Sequence, residues 1–304
     1  TQKELFTISK LKNDDGNLYI NGKKIYDFVN VFLSKKINKD IFQSVFYDLQ
    51  LGENKILLNG FAYSKNQDAL NNFINQKAVE LKVMNYIPND AAFLYHVGID
   101  DRKKWLDKLS NENDEIEFER LYNWLGQEVA LFKTERNVGE ESENVLLVNS
   151  TDINETLNHI NLIAEKNKSY DTLYNELYGE YTIYELGVIE FPSKAFGDNY
   201  KGFQQCFYLV LDEYMVFGNS INGLKNLIKS IEEENTWGRN VEQSKFLEST
   251  LKEANISYFF NAQMLWYDLL KNVKTDWQSS ISDLDLQNTL TKGAVQFSNV
   301  DDKF

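Results

Sequence analysis

The chain has 304 residues, 42% of them hydrophobic and 14% aromatic, which is enough apolar material for a folded core and excludes a disordered chain. With 32 Lys+Arg against 46 Asp+Glu the net charge is −14, a field that repels phosphate backbones and anionic lipid surfaces, so nucleic acid is not an expected partner. One cysteine and two histidines leave no intramolecular disulfide and no zinc site built from several such ligands, and no apolar run approaches the roughly 18 residues a membrane span needs.

Thr1-Gln2-Lys3-Glu4 is neither a signal peptide nor an initiator start and is read as a boundary left by processing or cloning. Asn13-Asp14-Asp15-Gly16-Asn17 has the oxygen ligands and glycine of a calcium loop but no closing acid, so a turn before a strand is the expectation. Asn17–Gly22 reads as that strand, and Lys24–Lys35 follows as a helix with Ile25, Phe28, Val29 and Phe32 on one stripe. Asp48–Leu51 and Ile56–Leu58 flank the turn Gly52–Lys55, a hairpin signal, and a helix is expected from about Asn66 to Glu80.

Further on, Ala91–Ile99 reads as a strand entered through Pro88-Asn89-Asp90, with Asp100-Asp101 capping a helix through Trp105, Leu106 and Leu109. Phe118–Leu125 is a second helix ending at Gly126, and Glu128–Lys133 and Asn144–Val148 return as strands. Thr151–Glu155 starts a helix whose apolar face runs from Leu157 to Ala164. Tyr181–Leu186 is a strand, Phe207–Val210 and Tyr214–Gly218 form a hairpin about Asp212-Glu213, and Asn219-Ser220 opens the next helix.

Near the end, Asn255–Ala262 runs from a strand into the apolar helix Met264–Leu270. An offset of about 240 sets Ile20 against Phe260, Ile25 against Leu265 and Val29 against Leu269, and one of 235 sets Asp48–Leu51 against Asp283–Leu286. This predicts an α+β fold, antiparallel sheets with helices packed on one face, built on a duplicated strand-helix-hairpin unit. Residues 1–82 form the C-terminal part of a first repeat and residues 83–304 a second, more complete one, the two completing a shared sheet.

No phosphate loop, dinucleotide glycine fingerprint or nucleophile elbow occurs, and no catalytic, cofactor-binding or metal-binding residue is assigned. His96, inside an apolar strand, and Cys206, inside the run Cys206–Leu211, read as core residues, and His159 as a helix residue. Carboxylate pairs such as Asp100/Asp101 and Glu140/Glu141 are common in so acidic a chain. Among the five tryptophans, Trp237 beside Gly238 in a polar connection is the candidate stacking platform, and Tyr200 is the alternative stacking residue.

Tyr86–Ala92 before a strand, Tyr214–Ser220 before a helix and the Asp-Leu-x-Leu hairpins resemble an uncharacterised family of Bacteroidetes envelope proteins that carries a domain of unknown function, often behind a lipoprotein or secretory signal. The resemblance implies export to the periplasm or outer membrane, an upstream lipid anchor, other envelope proteins as partners and no catalysis or cofactor. The expected function is a scaffold or subunit of an envelope protein assembly, and the alternative is a surface glycan-binding protein that uses exposed aromatics.

Overall fold

The structure, a computed structural model, describes residues 15–37, 41–64, 69–109, 116–134, 142–168, 174–300 and 304. Its chain contacts divide it into two units. The smaller comprises Thr1–Gln76, Leu269–Leu284 and Phe297–Phe304, and the larger Lys77–Asp268 and Asp285–Gln296.

In the smaller unit β1 (Gly16–Asn21) enters helix α1 (Gly22–Phe32), and β2 (Ser44–Leu51) and β3 (Ile56–Tyr63) form the hairpin read from the turn Gly52–Lys55. All three strands are antiparallel, in the order β1-β2-β3. Among the described residues they pair in a sheet of their own and do not extend the larger sheet, so the expected shared sheet does not form. Gly60 is required by sterics, because a Cβ there would lie 1.7 Å from the Phe46 carbonyl oxygen of the neighbouring strand.

No helix spans 66–80. Residues 65–68 lie outside the described residues, Ala69–Phe73 is a short 3-10 turn, and Val79–Glu80 is strand β4. Asn75 sits at φ +65°, a left-handed conformation that an asparagine tolerates and a helix does not.

The larger unit holds a nine-stranded sheet that contains β5 (Ala91–Gly98), β6 (Leu125–Thr134), β7 (Asn144–Ser150), β8 (Asn175–Tyr178), β9 (Tyr181–Glu185), β10 (Phe207–Leu211), β11 (Tyr214–Gly218), β13 (Ile256–Asn261) and β14 (Lys292–Phe297). Their order is β14-β13-β5-β6-β7-β11-β10-β9-β8, and the short β12 (Glu253–Ala254) pairs with β4. The pairings from β13 through to β8 are antiparallel, as the hairpin pattern predicts.

Helices lie against both faces of this sheet, which corrects the expectation of one. The cause is visible in the strands: β5, β7 and β11 are apolar and buried at successive positions, not alternate ones, so each face needs cover. Leu94, Phe132, Leu147, Leu209 and Val216 pack on one face with Leu224, Leu227 and Ile228 and with Val83 and Ile87 of the loop before β5. On the other face Phe191 meets Phe217 at 5.0 Å, Tyr95 meets Tyr200 at 5.5 Å, and Tyr208 donates to Asn161 at 2.7 Å.

The helix starts follow their caps. Asp101 accepts the Lys104 amide before α2 (Arg102–Leu109), and the short α3 (Leu121–Trp124) leads into β6. Asp152 Oδ1 accepts the amides of Asn154 at 3.1 Å and Glu155 at 3.0 Å at the head of α4 (Ile153–Asn167). After α5 (Phe191–Phe196), Ser220 accepts the Gly223 amide to open α6 (Ile221–Glu232). Replacing Asp152 by alanine is expected to lower unfolding free energy by about 1 kcal/mol, read as a lower urea midpoint at unchanged slope.

Toward the end of the chain stand α7 (Val241–Glu248), α8 (Ala262–Asn272), α9 (Thr275–Ser282) and α10 (Leu286–Thr289). The offset of 240 holds in kind at the strand-to-helix entries, where Asn21 accepts the Lys24 amide and Asn261 the amides of Gln263 and Met264. Past the two helices Ser34 donates to the Asn272 carbonyl and Lys274 to the Phe32 carbonyl, a reciprocal pair around the bridge Leu33–Val273.

Beyond that point the two segments differ. Asp48–Leu51 is strand, whereas Asp285 takes a left-handed turn at φ +50° and its carbonyl accepts from Asn288 and Thr289, opening α10. The Asn288 side chain also donates to Asp285 Oδ1 at 2.6 Å, a local bond that competes with a ladder. A full strand-helix-hairpin duplication is therefore not established.

Candidate functional site

The most concentrated polar chemistry lies inside the larger unit. Glu128 on β6 is 2% exposed, and its carboxylate accepts from His96 Nε2 at 3.0 Å, from the Lys82 amide at 3.2 Å and from the Tyr214 hydroxyl. Register puts His96 opposite Ala130 and Gly98 opposite Glu128, so the histidine and the glutamate share one sheet face. Burial and the neighbouring Glu128 charge push the Tyr214 phenol well above its ordinary range. Tyr86 packs against Tyr214 with ring centroids 5.0 Å apart and planes tilted by 59°, and donates to Asp212 at 2.9 Å. His96 and Tyr214 are at 0% exposure, so the network is closed to solvent and gives the buried Glu128 carboxylate its hydrogen-bond partners.

His159 is likewise internal. Trp124 Nε1 donates to its Nδ1 at 2.9 Å, and its Nε2 donates to the Ile116 carbonyl at 2.9 Å, which uses both ring nitrogens in the neutral form. Burial lowers its pKa to about 4, opposed by the Ile116 bond and aided by Arg120. Cys206 is buried, and burial holds its thiol protonated, far from nucleophilic character. Asp101 is spent on its helix cap, Asp100 accepts the Lys77 amide, and Glu140 and Glu141 lie outside the described residues. Of the calcium-like run, Asn13 and Asp14 also lie outside them, and Asp15 accepts the Leu51 amide as a turn residue would. No cluster of three metal-ligating side chains occurs among the described residues.

The two aromatic candidates are both interior. Tyr200 is 2% exposed, wedged between Tyr95 and Phe196, and offers no open ring face. Trp237 is 4% exposed and meets Phe259 edge-on at 5.9 Å, with its amide donating to the Ile87 carbonyl. Gly238 marks a close approach and not an exposed loop: a Cβ there would lie 2.1 Å from Asn85 Oδ1. An exposed stacking platform at these residues is corrected accordingly, because the glycine lets the chain press inward.

Trp237 nonetheless lines a pocket of about 300 Å³ at the end of the sheet where β5 begins and β13 ends. Its other walls are Asn89 and Ala91, then Asn240, Glu242, Gln243 and Phe246 from the start of α7, and Phe260, Asn261, Gln263, Met264 and Lys292. Phe260 lies over Gly293, where any Cβ would fall 2.2 Å from its ring. The amide character of this lining went unread in the sequence, since its residues come from four separated stretches. The two helix-cap positions, Asn240 and Asn261, were its one legible signal.

A third feature belongs to the smaller unit. Register places Gly16, Leu49 and Leu58 in one row, Leu18, Tyr47 and Gly60 in the next, and Leu51 beside Ile56, all on one face of the three-stranded sheet. Leu18 is 41% exposed, Leu51 60%, Ile56 61% and Leu58 38%, a contiguous apolar face in water. No helix is long and apolar enough, among the described residues, to cross a membrane. Comparison of the chain with protein-family models, with curated proteins and with solved structures returned no match.

Proposed function

We propose that this protein is a non-catalytic scaffold or subunit of a protein assembly in the cell envelope, at the periplasmic side or the outer-membrane surface. The observation that carries the reading is the apolar face of Leu18, Leu51, Ile56 and Leu58, which a lone soluble chain has reason to cover and a subunit has reason to keep open. Burial of the His96–Glu128–Tyr214 network supports a role without chemistry, and the resemblance to Bacteroidetes envelope proteins supports the compartment and an upstream lipid anchor.

The test is affinity capture from cross-linked envelopes with the native chain and with a Leu51→Asp/Leu58→Asp pair. Both positions are solvent-exposed, so the fold is expected to survive. Native protein is expected in the envelope fraction with one or more discrete partners, lost in the double variant. Native protein in the cytoplasmic fraction, with no partner, would contradict the reading.

A second reading, glycan binding at the envelope surface, is favoured by one observation: the amide-lined pocket beside Trp237.

A further inference from the structure

We infer that this pocket takes a single neutral sugar ring or a polyol of similar size, an assignment that rests on the glycan-binding reading and gives it a place and a ligand class. Gln243 lines the pocket, and its side-chain amide, which makes no hydrogen bond among the described residues, is open to solvent there. Its carbonyl and NH₂ offer an acceptor and a donor, the pair that a ligand hydroxyl engages at once.

The surrounding groups extend that pattern. Asn240 and Asn261 spend their Oδ1 atoms on helix amides, which leaves each Nδ2 as an unused donor at the rim. Glu242 offers an acceptor and Lys292 a donor, neither held in an ion pair among the described residues, and their formal charges cancel. Cancelled charge at the pocket and −14 on the chain disfavour phosphorylated ligands, while the polar rim disfavours a purely apolar one. Phe246 and Phe260 supply the apolar surface that the C–H face of a sugar ring packs against. A pocket of about 300 Å³ is at the small end of the range for small ligands, roughly 300–1,000 Å³, and suits one ring over a chain.

The experiment is calorimetric titration of the whole chain with glucose, galactose, mannose and N-acetylglucosamine, with a soluble polysaccharide and with a neutral amino acid. At least one monosaccharide is expected to bind with Kd of about 1 mM or tighter. Gln243→Leu, which keeps the volume and removes the amide, is expected to weaken it at least about tenfold, a loss of roughly 1.4 kcal/mol. Glu242→Gln, at an exposed position that cannot unfold the chain, is expected to weaken it in the same direction. The inference falls if no monosaccharide binds, if binding survives both variants unchanged, or if the amino acid is the preferred ligand. Polysaccharide binding indifferent to both variants would overturn the pocket assignment and leave the glycan reading standing; no binding by any sugar would end both.

Discussion

Glu128→Ala is expected to remove about 3 kcal/mol of stability, the cost of leaving three buried donors without their acceptor at roughly 1 kcal/mol each. The reason is arithmetic on donors. Glu128 accepts from His96 Nε2, the Lys82 amide and the Tyr214 hydroxyl, and the alanine leaves all three pointing at one another around a small void. Because β5, β6 and β11 each contribute a member, the loss falls on the centre of the sheet and not on a fraying edge. Glu128→Gln keeps one acceptor oxygen but aims an NH₂ at a donor, so an intermediate loss is expected. Denaturant unfolding of the three proteins at neutral pH measures this, and a deficit under about 1 kcal/mol for the alanine variant would show the network to be dispensable.

Acid sensitivity is the second large effect. His159 titrates at an ordinary 6.5 when unfolded and at about 4 in the folded chain, because burial disfavours the imidazolium. Between those values the unfolded chain binds the extra proton. Stability from this site is therefore complete above pH 6.5 and lost progressively as pH falls to about 4, to a total on the order of 3 kcal/mol. His159→Gln can still accept from Trp124 and donate to Ile116 but does not titrate. Unfolding free energies measured across this window are expected to fall more steeply for the native chain than for the variant. Parallel slopes would show that another group carries the acid response.

Features set by local chemistry were legible from the residues. The caps at Asp101, Asp152 and Ser220, the hairpin at Asp212-Glu213 and the core strands around His96 and Cys206 all follow from side-chain bonding or apolar runs within a few residues. What escaped depends on partners distant in the chain. Consecutive apolar residues in β7 say that a strand is buried but not that α6 will cover one face and Phe191 the other. Trp237 looked exposed because its neighbours are polar, whereas Gly238 fits the chain against Asn85 far upstream. Asp283–Leu286 matched a strand in pattern, and the Asn288–Asp285 bond turned it into a helix start. The pocket was legible only as scattered asparagines and glutamines, since nothing local brings residues 89, 243, 261 and 292 together.

The role of the apolar sheet face is tested most directly by a photo-crosslinking amino acid placed at position 51, 60% exposed on that face, with one at position 174, 47% exposed on the larger unit, as control. Illumination of intact envelopes is expected to join position 51, and not position 174, to a discrete partner protein. No adduct at position 51, or the same adducts at both, would contradict a docking role for Leu18, Leu51, Ile56 and Leu58.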